Sequence, residues 1–202
     1  MRRYRPLQAL PDIPRFPNAT TTMEKRNFLE YLPKRFKARN EQDEKVRRFI
    51  YDFKCGRAKA ARWAAVAVAN YFFNCFGSQC EEYTIVCVPS RSLSTYRRRF
   101  SYFAKEVSEL CGIQNAMEHV IIIGERQALH NSKSHCVCED GYDVIIDTDY
   151  FKGRKVIVFD DLYTSGASAT RFADELTAAG AQVVSGLFLA KTIWKGGQYE
   201  SK

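Results

Sequence analysis

Apolar residues recur at helical spacing from Glu41 onward, where Val46, Phe49, Ile50 and Phe53 with charged residues between them predict an amphipathic helix. Gly56 interrupts it, and a second helix is predicted from about Ala58 to Phe73, its alanine-rich face carrying Trp63, Ala67, Asn70 and Tyr71. After Cys80 short β-branched runs alternate with helical stretches, the pattern of βαβ units over a largely parallel sheet. The runs are Tyr83 to Val88, His119 to Ile123, Tyr142 to Asp147, Lys155 to Asp160 and Gln182 to Leu189. A helix between the first two carries Phe100, Phe103, Ala104, Val107 and Leu110 on one face. Another, Ala167 to Ala179, lies between the last two and is closed by Gly180, where a left-handed cap residue is expected. The expected fold is α/β, a central, largely parallel five-stranded sheet flanked by helices.

Residues 1–40 hold Pro6, Pro11, Pro14, Pro17 and Pro33, each of which removes a backbone donor and restrains its predecessor. Long regular elements are not expected there, and the segment reads as a basic arm or hood, followed by a domain over 41–192 and a tail over 193–202. Inside the domain, residues 124–141 form a long polar connection with Glu125, Arg126, His130, Lys133, His135 and Asp140, the kind of loop that often carries function.

Composition narrows the classes. An apolar fraction of 46% with 27% charged residues is that of a folded soluble protein. No run approaches the ~20 apolar residues of a membrane span, and the Arg- and Pro-rich start lacks a secretory core. A cytoplasmic protein without a membrane partner is expected, so the sequon Asn18-Ala19-Thr20 is coincidental. The seven cysteines suit reduced thiols, and Cys136 and Cys138 lack the partners of a zinc site. The net charge of +8, with Arg97-Arg98-Arg99 as one cluster, suits a solvated basic surface or an anionic partner, phosphate or nucleic acid. His119, at the start of a strand, reads as a packed or edge residue.

The chemistry concentrates late in the chain. Val156-Ile157-Val158-Phe159 is a continuous apolar run, as for a strand buried on both faces, and it ends in adjacent carboxylates, Asp160 and Asp161. Open α/β sheets bind ligands beyond the carboxyl ends of their strands. Three residues on stand Thr164, Ser165, Gly166, Ala167 and Ser168 at the start of a helix. Small residues let backbone N–H groups approach a phosphate, the hydroxyls donate, and the helix N-terminus adds positive potential. The carboxylates would repel a bare phosphate, so they address neutral hydroxyls or a metal ion. A Walker B reading fails for want of any GxxxxGK[ST] segment. A receiver or haloacid-phosphatase site needs its acids after the first strand, which here ends in Val88-Pro89-Ser90. A structural turn accounts for Gly166 but not for the acids and hydroxyls together.

The thirteen residues Val156 to Ser168, VIVFDDLYTSGAS, resemble the phosphoribosyl pyrophosphate signature of the type I phosphoribosyltransferases, with Ser in place of the commoner Thr at 165 and 168. The resemblance implies that fold, with a small hood. It implies that Asp160 and Asp161 are the catalytic pair, binding the ribose hydroxyls as oxocarbenium character develops, and that Thr164 to Ser168 hold the 5′-phosphate. A second stretch, Ile85 to Arg91 followed by Tyr96 to Phe100, resembles the competence-protein ComF-like branch. In that branch a strand ending in Pro-Val-Pro leads to an Arg-rich segment. Pro89, Ser90 and Arg91 would then bind pyrophosphate, with Arg99 and its neighbours as countercharge. Phe49 to Lys54 is similar to that branch's first helix, extending the resemblance over about 45–191. Phe100-Ser101-Tyr102 departs from the branch's Gly-Phe-Asn-Gln, one position is gapped, and no cysteine precedes Cys55 to form the branch's zinc module.

The resemblance further implies Mg²⁺, a nitrogenous base or amine as acceptor, pyrophosphate as product, and a homodimer as a common assembly. The family loop that folds over the site corresponds to the region of Arg126, Lys133 and His135. A second reading keeps the pocket without turnover: a regulator that binds phosphoribosyl pyrophosphate or a nucleotide, or a competence-type DNA-uptake accessory.

Overall fold

The computed structural model describes residues 23–123, 135–138 and 142–193. In chain order the elements are β1 (Glu24–Tyr31), α1 (Glu41–Lys54), α2 (Ala58–Phe76), β2 (Tyr83–Cys87), α3 (Leu93–Cys111), β3 (Gln114–Asn115), β4 (Val120–Ile123), β5 (His135–Cys138), β6 (Tyr142–Ile146), α4 (Thr148–Phe151), β7 (Lys155–Tyr163), α5 (Ala167–Ala178) and β8 (Gln182–Thr192). Capping side chains fix the starts of α1 and α3, among others. Asn40 Oδ1 accepts from the Asp43 N–H at 3.1 Å and Ser92 Oγ from the Thr95 N–H at 3.2 Å, each satisfying a donor the helix leaves open. Gly180, at φ +88°, takes the left-handed conformation expected after α5.

The main sheet has five strands in the order β1-β8-β7-β2-β3, and every pairing in it is parallel. Alternation along β7 divides the core. Ile157 and Phe159 pack beneath α1, α2 and α3 with Phe49, Phe53, Phe100 and Phe103. Val156 and Val158 pack on the other side against Phe172, Ala173 and Leu176 of α5 and Val144 and Ile146 of β6. The ring of Phe159 stacks on Phe103 at 4.2 Å and meets Phe53 and Phe100 near 6 Å. The α/β class with a parallel five-stranded sheet is therefore as expected.

Its membership is not. The runs at His119–Ile123 and Tyr142–Asp147 do form strands, β4 and β6, but these pair antiparallel in a separate three-stranded sheet, β4-β6-β5. Hydrophobic alternation specifies that a segment is extended, not which neighbour it joins. β1 and β3 take the two vacant places. β1 lies inside the segment where long regular elements were not expected. Pro17 and Pro33 bracket it without entering it, and its polar composition, EKRNFLEY, is that of a strand paired on one side only. His119 closes a short 3-10 turn ahead of β4 instead of opening the strand. Among the described residues, no helix is long and apolar enough to cross a membrane.

Candidate functional site

β2 continues through α3 to β3 on one side of the sheet, whereas β7 continues through α5 to β8 on the other, and β2 and β7 are adjacent. Their connections diverge, so a crevice opens between their carboxyl ends, the topological switch point at which open α/β sheets bind ligands. The register pairs Cys87 with Phe159, and the Val88 N–H donates to the Phe159 carbonyl at 2.8 Å. Pro89, Ser90 and Arg91 therefore leave the sheet beside Asp160. Pro89 and Ser90 are half-buried and Arg91 is exposed.

β7 does not stop at Asp160 but runs through both acids to Tyr163. The two carboxylates consequently point to opposite faces of the sheet. Asp161 follows Ile157 and Phe159 to the α1–α3 side, where it is 2% exposed. There Lys54, at the end of α1, lies 3.3 Å from Oδ1, and the Arg99 guanidinium of α3 lies 3.0 Å from Oδ2. The second contact has ion-pair distance without hydrogen-bond alignment, so Oδ2 and the Arg99 Nε lack hydrogen-bond partners among the described residues. Asp161 thus ties two helices to the sheet.

Asp160 follows Val156 and Val158 to the α5 side and keeps partial exposure. Its Oδ1 accepts the Asp161 N–H at 2.8 Å. Burial pushes this carboxyl above the usual carboxylate range and the Asp161 charge adds to the effect, while the backbone hydrogen bond, Arg99 and Lys54 oppose it. Beneath the pair, burial followed by the two carboxylate charges pushes the Cys87 thiol well up, which makes it a poor nucleophile. The Tyr96 hydroxyl donates to the Cys87 carbonyl at 3.2 Å and pins α3 to the strand end.

The hydroxyl-rich turn follows directly. Thr164, Ser165, Ala167 and Ser168 are exposed, and Gly166 occupies the N-cap position of α5 at φ +77°. A Cβ at Gly166 would overlap the Tyr163 ring, so both backbone conformation and space demand glycine. Ser165 Oγ accepts the Ala167 N–H at 3.3 Å, and the Thr164 and Thr192 hydroxyls lie 3.1 Å apart.

The three consecutive arginines diverge. Arg99 turns inward to Asp161, the backbone of Arg98 closes against Gly56, and Arg97 lines a cavity of about 280 Å³ with Leu93, Tyr96, Met117, Glu118 and Ile121. His119 stacks on Tyr150 at 3.4 Å with its Nδ1 3.0 Å from Asp147, in keeping with a packed residue. Arg126 and Lys133 lie outside the described residues, and His135 begins β5. Lys54 was missed as a site residue, although a signal existed. It lies four residues after Ile50 on the apolar stripe of α1, where a cation requires a buried counterion.

No protein-family model matches this chain, and no curated protein matches it by sequence. Among solved structures, the chain is similar to adenine phosphoribosyltransferase from Saccharomyces cerevisiae, crystallised with adenine and an imino-altritol bisphosphate. The TM-score is 0.46 and the identity 18%, over 66% of this chain and 70% of that one. It is also similar to adenine phosphoribosyltransferase from Thermoanaerobacter pseudethanolicus, with TM-score 0.45 and 16% identity over 68% of this chain and 80% of that one.

Proposed function

We propose that this chain is a phosphoribosyltransferase of the type I fold, which binds phosphoribosyl pyrophosphate with Mg²⁺ and transfers the phosphoribosyl group to a nitrogenous base or amine. The observation that carries the reading is the pairing of β2 with β7 at the switch point. It brings a Pro-Ser loop and an acid-plus-hydroxyl loop to one crevice. Two such loops leaving adjacent strands suit a ligand with phosphate at both ends of a ribose. Pro89, Ser90 and Arg91 address pyrophosphate, Thr164 to Ser168 address the 5′-phosphate, and Asp160 between them addresses the ribose hydroxyls.

Asp160 accepts hydrogen bonds from those hydroxyls, and Asp161 holds β7, α1 and α3 in register from the opposite face. Such a site works by position and charge and needs no protein nucleophile. Mg²⁺ fits the donor set. Asp160 offers one hard oxygen donor whose desolvated charge calls for a cation, and Mg²⁺ is commonly held by one or two carboxylates plus substrate phosphates. When bound, it would neutralise the pyrophosphate as that group departs.

The engagement of Arg99 with Asp161 favours one second reading, in which the pocket binds without turnover as a regulator, because this countercharge is already satisfied. Pyrophosphate release from phosphoribosyl pyrophosphate and Mg²⁺, measured across a panel of bases and amines, separates the two. Release with at least one acceptor, lost in Asp160→Asn, is expected. Tight binding without release for any acceptor leaves the regulator, and affinity for single-stranded DNA in its place points to the uptake accessory. Failure to bind at millimolar ligand overturns the reading altogether.

A further inference from the structure

The turn Thr164 to Ser168 contains no cation, and the carboxyl nearest to it in sequence on the same sheet face, Asp160, offers a phosphate dianion no positive charge. Hydroxyls and a helix N-terminus contribute partial charges only. Two neighbouring strands supply what the turn lacks. Lys25 of β1 pairs in register with Gly186, which pairs with Val158, so its side chain rises on the α5 side of the sheet, the side of Asp160. Its Nζ stands 3.3 Å from where a Cβ on Gly166 would be, at the start of α5. Lys191 of β8 pairs directly with Tyr163, and the ammonium groups of Lys25 and Lys191 lie 5.6 and 5.7 Å from the centroid of the Tyr163 ring. Both lysines are exposed, and neither forms an ion pair with a carboxylate among the described residues.

Resting on the phosphoribosyl reading above, we propose that Lys25 and Lys191 are phosphate-binding residues, which place two ammonium groups beside the 5′-phosphate turn from strands outside the signature segment. The Tyr163 ring is the device that positions them. It holds each ammonium over its face by cation–π attraction and lies against Gly166, so that aromatic ring, glycine and cations form one wall of the phosphate site. The selectivity that follows is for a phosphomonoester dianion over a neutral sugar.

The experiment is calorimetric titration of ribose 5-phosphate, with ribose and inorganic pyrophosphate as separate probes, into wild type, Lys25→Met, Lys191→Met and the double variant. Met keeps much of the apolar stem, and Lys25→Arg and Lys191→Arg retain charge. Each Met substitution is expected to weaken ribose 5-phosphate binding ~10-fold, the double variant by more, and the Arg forms to recover most of it. The wild-type affinity falls with salt, and the double variant loses most of that dependence. Unchanged ribose 5-phosphate affinity in the double variant, with a native thermal transition and with binding still abolished by Gly166→Ala, overturns the lysine assignment and leaves the parent reading intact. Equal loss in the Arg forms overturns it too, by showing a structural role. Absence of binding to wild type overturns the parent reading and this one together.

Discussion

Asp160→Asn and Asp161→Asn, nearly isosteric changes at adjacent positions, are expected to act in opposite directions. Asp161 is buried with Arg99 at 3.0 Å and Lys54 at 3.3 Å, so amidation removes the counterion of two cations at once. Breaking a fully buried pair costs about 3–5 kcal/mol. Because the Arg99 and Lys54 side chains are 21% and 39% exposed and regain part of their hydration, about 1–3 kcal/mol is the reasonable loss. Asp160 carries a desolvated charge whose folded pKa is raised, chiefly by burial and then by Asp161. Its folded state therefore keeps a proton that the unfolded chain has released, and stability falls as pH rises from the ordinary carboxylate range through the raised value. Asn at 160 removes that slope, and in mildly alkaline buffer the variant should match or exceed wild type. Urea denaturation followed by circular dichroism reads both effects. A loss of about 2 kcal/mol appears as a shift of about 1 M in midpoint at unchanged slope. A wild-type midpoint for Asp161→Asn, or a fall for Asp160→Asn that grows with pH, would refute the division of labour between the two faces of β7.

Gly166→Ala should lose ribose 5-phosphate binding and about 1–2 kcal/mol of stability, since φ +77° and the Tyr163 ring both exclude a Cβ; thermal unfolding and titration calorimetry check it. Phe159→Ala empties the centre of the Phe53, Phe100 and Phe103 cluster and is expected to cost about 3–5 kcal/mol in chemical denaturation. Tyr96→Phe removes the hydroxyl donated to Cys87 and should cost about 1 kcal/mol by the same measurement, with little change in ligand affinity.

The α/β class was legible because β2, β7 and β8 are buried runs separated by amphipathic helices, and local period suffices to show it. The strand, turn and helix that run through Asp160 to Ser168 were legible for the same reason, being contiguous. What the chain did not reveal depends on pairing between distant segments. β1 is an edge strand with few apolar residues, so its place beside β8 comes from a partner 161 residues further along the chain (Glu24 with Ser185), and Lys25 comes to the side of Gly166 with it. The runs that form β4 and β6 read as strands as readily as those of the main sheet, because local pattern records an extended backbone and says nothing of direction or partner, while β5 lay within the connection read as polar. The two acids look equivalent as a dipeptide. They separate only once β7 is seen to continue through them, which puts Asp161 under Arg99 and Lys54 and leaves Asp160 on the α5 face.

The central claim is that one ligand spans the crevice between the ends of β2 and β7, and a crystal soaked with phosphoribosyl pyrophosphate and Mg²⁺ tests it most directly. The account predicts the 5′-phosphate against Thr164 to Ser168, the ribose hydroxyls at Asp160, and the pyrophosphate over Pro89 to Arg91, with Asp161 still held by Arg99. Ligand density confined to the cavity beside Arg97, or a ribose seated on Asp161 with Asp160 turned away, would contradict it.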